Sequence, residues 1–369
     1  MSPKSASDWI VKEHSLIKES ILGKYLKVWF TKLSSGFDVV MYIDGFAGLG
    51  LLNTESGEIK EGSPLIAIEN AVYALKRHQD TRFYLFFFEI SKDAEKLKRN
   101  VDEKLKECFQ KEGLPQQIQD QIVVRVFNAS FEKLIDALKN FAAENKKISH
   151  KPLFVFIDPF GLKKEILSWI GFFLRTFDKS ELMVNLMISA ARRNPNSSKT
   201  KQIFGEKPVN ITSFKSDIKQ IKEGVYVVDF EIRGIEKNVT IYHLLHISQH
   251  KEAIKTIKGI MFSESNSPFE FTNNRNFDKS RPRLFVPKLG FFKKHFSDTF
   301  KNRTNFSIGE VYEKFAYTDE FIWPESMVRK FLKELEKEGK IKVAPKTIEN
   351  KERRQNTYPP KAIIEQINY

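Results

Sequence analysis

Three acids and one amide close the apolar runs of the N-terminal half. Val39 to Ile43 ends in Asp44, and Gly45-Phe46-Ala47-Gly48-Leu49-Gly50 follows at once. Phe83 to Phe88 ends in Glu89, Ile122 to Phe127 in Asn128, and Leu153 to Ile157 in Asp158-Pro159-Phe160-Gly161. Closely spaced glycines mark a turn that a ligand approaches through backbone, where a Cβ would collide. A carboxylate at the tip of the second run can accept hydrogen bonds from both hydroxyls of a ribose, or simply begin a surface helix. Asn128 can meet an adenine amine or ring nitrogen, and can equally be the turn residue that starts the next helix. Asp158 and its neighbours offer a carboxylate, a carbonyl, an aromatic ring and a bare backbone. A bland turn can hold the same residues.

The elements that position these groups follow from periodicity. The runs are rich in β-branched and aromatic residues and read as buried parallel strands. A fifth is expected at Leu182 to Ile188. A first helix runs to about Leu33, capped by Ser7 or Asp8, with Ile10, Ile17, Ile21, Tyr25, Leu26 and Trp29 on one face. Ser63 as N-cap and Pro64 at the first helical position open a second helix, after an insertion at Leu51 to Lys60 that parts it from the glycine loop. Lys92 to Phe109 and Phe131 to Phe141 are helical. Ala190 to Lys222 is polar and basic. Val225 to Ile232 and Val239 to Ile247 pair as an antiparallel hairpin across Arg233 to Asn238. In a doubly wound sheet, ligands bind at the carboxyl ends of the strands, where all four polar ends gather.

A basic connector over 268–287 carries Arg275, Lys279, Arg281 and Arg283, and divides a domain at 1–267 from one at 288–369. Beyond it, Ser307-Ile308-Gly309-Glu310 is a capping box. Pro324 opens a second helix, whose Val328, Phe331, Leu332 and Leu335 face a core and which Gly339 stops. Ile341 and Val343 form a strand, Lys346 to Asn356 a charged tip, and Thr357-Tyr358 the return. The succession reads as a winged helix-turn-helix. Arg329, Lys330 and Lys333 on its second helix, with Arg353 and Arg354 on the wing, are candidate phosphate contacts, as are Arg192 and Arg193. Glu334, Glu336 and Glu338 dilute that face, and such modules also serve as packing or dimerisation units.

The 369 residues carry a formal charge of +14, which favours anionic partners, nucleic acid first. Many lysines alternate with glutamates on helix faces and read as solvated surface. No apolar run approaches the ~20 residues of a membrane helix, the N-terminus lacks a signal-peptide core, and a cytoplasmic protein is expected. The single cysteine, Cys108, excludes an intrachain disulfide and a cysteine-rich zinc site. His243, His246 and His250 lie in a strand-like stretch, where a spacing of three turns side chains to opposite faces, so no metal is expected.

Five strands joined by helices and closed by an antiparallel pair form the topology of class I methyltransferases: a Rossmann-like α/β sheet. The loop Asp44 to Gly50 resembles their first motif, acid-x-Phe-x-Gly-x-Gly. The resemblance implies S-adenosylmethionine as cofactor, held by Asp44, Gly45, Phe46, Ala47, Gly48, Gly50, Glu89 and Asn128. It implies Asp158, Pro159, Phe160 and Gly161 as the acceptor-side catalytic motif, similar to that of enzymes that methylate an exocyclic amine. More closely, ILGKYLKVW, YIDGFAGLG, GSPLIAIENA, FVFIDPFGL and YHLLHIS resemble the three-Cys-motif partner proteins, over roughly residues 14 to 262. Leu49 stands where that family often has proline, and Asn128 where many methyltransferases have aspartate. The resemblance implies a three-Cys-motif protein as functional partner. It also admits a non-catalytic partner or nucleic-acid-binding module of a mobile-element or defence cassette, built on the same fold. A nicotinamide dehydrogenase fits less well: Gly48-x-Gly50 leads to Asn53, not a small residue, and Glu89 lies about 39 residues past Gly50 rather than about 20.

Overall fold

The computed structural model describes residues 10–11, 13–90, 93–144, 146–205, 207–233, 240–264, 269–270, 289–301 and 303–367. The chain divides into two units, residues 1–249 and 250–369. The expected cap at Ser7 or Asp8 and nearly all of the basic connector lie outside the described residues. No helix among the described residues is long and apolar enough to cross a membrane.

The first unit begins with β1 (Ile10–Val11), α1 (Glu13–Ser34), β2 (Val39–Asp44), β3 (Leu51–Thr54), β4 (Ile59–Glu61) and α2 (Ser63–Leu75). It continues with β5 (Arg82–Glu89), α3 (Asp93–Glu112), α4 (Gln116–Gln119), β6 (Ile122–Asn128), α5 (Phe131–Glu144), β7 (Leu153–Ile157) and α6 (Ile166–Thr176). It ends with β8 (Ser180–Leu186), α7 (Ile188–Arg193), α8 (Ser198–Phe204), α9 (Ile211–Ile221), β9 (Tyr226–Arg233) and β10 (Thr240–Ser248).

Seven of its strands form one sheet in the order β9-β10-β8-β7-β2-β5-β6. Strands β8, β7, β2, β5 and β6 are parallel, and β10 runs antiparallel to both β8 and β9. This is the methyltransferase-like pattern expected from the sequence: doubly wound, with an antiparallel pair at one end. The parallel strands are apolar on both faces because helices cover both. On one face Tyr42 stacks on Phe154 with centroids 6.0 Å apart, and Phe30 of α1 meets Phe83 at 5.8 Å. On the other, Phe131 of α5 meets Trp169 of α6 edge-on at 5.1 Å.

Register brings the polar ends together. Asp44 lies opposite Phe87 and Phe156, and Glu89 opposite Asn128. The Gly45 amide donates to the Phe156 carbonyl and the Ala47 amide to that of Phe88, each at 3.0 Å, so the glycine loop is pinned to both neighbouring strands.

Several boundaries differ from expectation. The N-cap of α2 is Gly62, not Ser63, and Pro64 keeps its place in the first turn. The cause is the insertion, which is a β3–β4 hairpin: the Gly62 amide donates to the Gly50 carbonyl at 2.8 Å, bringing the start of α2 back against the loop. A Cβ on Gly62 would stand 3.3 Å from that same oxygen. Asn128 ends β6 rather than following it, and β8 stops at Leu186, leaving Ile188 to open α7. The basic stretch after it folds as three short helices, α7 to α9, through buried Ile203, Phe204, Ile211, Phe214 and Ile218.

The second unit comprises α10 (Lys251–Glu264), β11 (Phe269–Glu270), α11 (Leu289–Phe300), β12 (Phe306–Ser307), α12 (Ile308–Phe315), α13 (Glu325–Lys337), β13 (Ile341–Thr347) and β14 (Ala362–Ile367). Helix α10 groups with this second unit. The buried Lys258 ammonium donates to the carbonyls of Ala316 at 2.7 Å and Thr318 at 3.0 Å, which ties α10 to the end of α12. Strands β12, β14 and β13 form a small antiparallel sheet. The Ser307–Glu310 capping box is present, and Gly339, with φ of +69°, ends α13 in the left-handed region. The return strand is Ala362–Ile367, not a continuation of Thr357-Tyr358, so the loop before it is longer than expected.

Candidate active site

The three glycines of the loop differ in what surrounds them. A Cβ at Gly45 would stand 2.6 Å from the Phe131 ring, so packing demands glycine there. Gly50, with φ of +74°, adopts a left-handed conformation and sits against Leu97 and Leu65. Gly48, with φ of +59°, has open space where its Cβ would lie. Of the three, Gly48 alone has the room that a ligand approaching backbone requires. Phe46 packs on Phe131 and Trp169, with centroids 5.5 and 6.0 Å away, and so anchors the loop to the core.

Glu89 holds the far side of this loop. Its Oε2 accepts from the Gly48 amide and its Oε1 from the Ile90 amide, both at 2.8 Å. Each oxygen keeps lone-pair capacity for a further donor. Burial raises the Glu89 pKa, and the two amides oppose that rise. Asn128 is exposed beside it at the end of β6.

Asp44 is fully buried; its Oδ1 accepts from the Phe46 amide at 3.1 Å, and its Oδ2 has no hydrogen-bond partner. Burial pushes its pKa up to about 7, Ser63 and the Phe46 amide work against this, and Glu19 and Asp158 add to it.

Asp158 stands just beyond β7, with both oxygens engaged. Asn185 Nδ2 of β8 donates to Oδ1 at 2.6 Å, and Lys18 Nζ of α1 donates to Oδ2. Lys18 also lies 3.4 Å from Glu19 Oε1. Burial works to discharge Lys18, but Asp158 and Glu19 outweigh it and hold the ammonium above the usual lysine range. Burial raises Glu19 to about 7, with Lys18 pulling down and Asp158 pushing up. Tyr242 of β10 faces the same group and is raised chiefly by burial. After Asp158, Pro159 is buried, Phe160 projects with 67% of its surface exposed, and Gly161, with φ of +77°, turns the chain.

Lys18, Glu19, Asn185 and Tyr242 were not among the residues anticipated from sequence. Yet a signal existed. Lys18, Leu22, Tyr25 and Trp29 follow helical spacing, as do Glu19, Leu22 and Leu26, so both charges extend the buried stripe of α1. The histidines of β10 face separate carboxyl groups: His243 Nδ1 lies 3.2 Å from Asp229, and His246 Nε2 lies 3.2 Å from Glu181.

The basic candidates fare unequally. Arg192 and Arg193 are exposed on α7. In the second unit Lys330, Lys333 and Arg354 are exposed, while Arg329 pairs with Glu325 at 2.5 Å. Arg353 must be reassigned. Its side chain is only 8% exposed, and it donates to Glu336 at 2.7 Å and to the Thr357 carbonyl at 2.9 Å, holding the loop before β14 against α13.

No family model matches the sequence, and no curated protein does. Among solved structures, the chain is similar to a protein from Legionella pneumophila str. Philadelphia 1, at 15% identity and a TM-score of 0.36, over 63% of this chain and 85% of that one. MNMC2 from Aquifex aeolicus matches at 16% identity and a TM-score of 0.33, over 65% of this chain and 66% of that one. The methyltransferase domain of bacterial CtHen1 matches at 14% identity and a TM-score of 0.28, over 62% and 98%. The order and direction of the seven strands, not these likenesses, carry the fold assignment.

Proposed function

We propose that the chain is an S-adenosylmethionine-dependent methyltransferase acting on an exocyclic amine of a nucleic-acid base. The observation that carries this reading is the convergence at one sheet edge of the Glu89-braced Gly48 turn and the Asp158-Pro159-Phe160-Gly161 turn. The residues present fit the cofactor. Glu89 keeps acceptor capacity for ribose hydroxyls, Gly48 leaves space beside backbone, and the orphaned Asp44 Oδ2 awaits a donor. When bound, the cofactor supplies an electrophilic methyl group on a sulfonium and leaves as a thioether.

The chain's own part is positioning. An amine conjugated to a base is a poor nucleophile, and correct placement contributes most of the acceleration in such a transfer. Asp158 and the Pro159 carbonyl accept the N–H bonds of the acceptor, aim its lone pair and stabilise the positive charge that develops there. The exposed Phe160 ring is a stacking platform for the base. A three-Cys-motif protein as working partner rests on the motif resemblance alone.

One observation favours a second reading, a binding module without turnover: Lys18 and Asn185 already engage both oxygens of Asp158. Labelled-cofactor turnover on mixed DNA and RNA decides between them, since a module leaves no label on either. Thermal shift with S-adenosylhomocysteine against NAD tests the ligand class. Ligand at 100 times its dissociation constant stabilises by about 2.7 kcal/mol, and no shift with the former removes the methyltransferase reading.

A further inference from the structure

On the sheet face opposite Asp44 there is a hollow that the reaction above does not use. Side chains alternate along a strand, so Met41 and Ile43 of β2 point away from Asp44. With Tyr84 and Phe86 of β5 they form one wall of a cavity of about 320 Å³. Leu138 of α5 and Ile148, in the short helical turn Lys146–His150, form the other. Helix α5 starts against the glycine loop, where Phe131 packs on Gly45, and turns Phe131, Leu134, Ile135 and Leu138 inward at helical spacing. The first three are buried, whereas Leu138 is only half-buried, as are Tyr84 and Phe86 across from it. The helix thus covers the sheet closely at its start and leaves a gap further along.

The size and lining of the gap state what fits it. Its volume is about twice the ~150 Å³ that holds one benzene in an apolar cavity, which gives room for an apolar body of roughly ten to twelve carbon atoms. Among the described residues its only polar members are Tyr84, Lys147 and Lys151, and no carboxylate lines it. A base or a sugar would leave several donors and acceptors unmatched against such walls, and each would cost binding energy. A cation would meet two ammonium groups of its own sign. Lys151 is paired with Asp38. Lys147 is exposed and, among the described residues, has no ion-pair partner. An exposed side chain that also lines the cavity marks where it meets solvent, so an uncompensated positive charge stands at the mouth of an apolar hollow.

We infer that this cavity binds a small anionic amphiphile, a medium-chain carboxylate, with its chain between β2, β5 and α5 and its head at Lys147. Apolar walls supply the affinity, and the one free ammonium fixes which end faces out. The site lies on the sheet face opposite Asp44 and does not depend on the proposed function.

Calorimetry on the full-length protein tests it with decanoate, hexanoate and decanol, each below the concentration at which it aggregates. Decanoate is expected to bind once per chain and at least tenfold more tightly than hexanoate, because each buried CH₂ is worth roughly fourfold. Lys147→Glu, a change on the surface, should weaken decanoate at least fivefold and leave decanol within twofold. Leu138→Trp fills the cavity and should abolish binding of both while the protein still melts cooperatively. Binding of none of the three probes, or equal affinity for hexanoate and decanoate, overturns the inference and leaves the hollow a packing gap or the socket for a partner's side chain. Decanoate binding that a folded Leu138→Trp protein retains overturns it too. An affinity for decanoate that Lys147→Glu leaves unchanged, or lowers no more than that for decanol, overturns the anionic assignment. If Leu138→Trp does not fold, the chain-length comparison and Lys147→Glu decide by themselves.

Discussion

Lys18 of the first helix donates a hydrogen bond to Asp158 at the end of the fourth parallel strand of the chain, so residues 140 positions apart meet at the proposed reaction centre. The side chain of Lys18 is only 9% exposed and that of Asp158 21%. Breaking a buried pair by removing one partner costs about 3–5 kcal/mol, because the other charge stays behind, whereas removing both can be nearly neutral. Lys18→Met is therefore expected to destabilise by roughly 3 kcal/mol. The double variant Lys18→Met with Asp158→Asn should recover part of that loss. Urea unfolding of the two singles and the double gives the coupling directly, and strict additivity would show that the pair carries no mutual stabilisation.

Asp158→Asn alone separates chemistry from binding. The amide preserves shape but removes the charge that steadies a developing cation. Methyl transfer should fall by two orders of magnitude or more, on the order expected for loss of one such stabilising group. Affinity for S-adenosylhomocysteine should stay within a few-fold. Parallel loss of both would make Asp158 a cofactor or structural residue instead.

The loop glycines predict opposite phenotypes. Gly45→Ala places a Cβ 2.6 Å from the Phe131 ring, and overpacking of this kind costs roughly 1–3 kcal/mol. Gly48→Ala meets no neighbour and is destabilised only by its left-handed backbone, about 1 kcal/mol. Gly48→Ala should therefore be the more stable variant in a melt. If a ligand approaches the backbone there, it should also be the one that loses the S-adenosylhomocysteine shift.

The parallel strands and their polar ends were legible in sequence because each strand is a short apolar run stopped by a single polar residue. Asp44, Glu89, Asn128 and Asp158 fall at one edge for that reason alone. Lys18 and Glu19 were legible in principle, as charges continuing the stripe of Leu22, Tyr25, Leu26 and Trp29, but a stripe reads as packing and charges on it read as its edge. The β3–β4 closure was not legible, since the Gly62–Gly50 bond joins backbone atoms whose side chains carry no pattern. Helices α7 to α9 were hidden by composition: eight basic residues between Arg192 and Lys222 outweigh the apolar residues that bury them. Arg353 looked like wing charge because its partner, Glu336, lies a helix away.

The same distinction makes a prediction for the second unit. Arg353→Ala removes a nearly buried pair with Glu336 and leaves that carboxylate behind, so it should destabilise by about 2–3 kcal/mol. Lys330, Lys333 and Arg354 are exposed, and their neutralisation should leave stability within about 0.5 kcal/mol. If this face meets phosphate, the triple variant binds nucleic acid more weakly and with a shallower salt dependence, by a slope of about 1 for each phosphate no longer neutralised. Unchanged affinity and slope in a salt titration would leave the face a packing surface.

The acid cluster makes stability depend on pH in an unusual direction. Glu19 and Asp44 both rise to about 7 in the folded protein, from ordinary carboxyl values near 4. Between those limits the folded state binds more protons than the unfolded state, so their contribution is complete below about pH 4 and is lost as pH climbs through 7. Most paired carboxylates act in the opposite sense, and Asp229, held low by Lys215 and His243 against its burial, is one of them here. A single-protein melt therefore mixes the two signs, and the informative quantity is a difference. Glu19→Gln cannot ionise, so it should gain on wild type by on the order of 2 kcal/mol as pH rises from 5 to 8. Melting temperatures of the two proteins measured in parallel across that range would converge or cross as pH increases, if Glu19→Gln starts lower. Lys18, held above the usual lysine range, stays charged across this interval. A constant gap from pH 5 to 8 would mean that Glu19 is ionised throughout, and that Lys18 alone meets its charge.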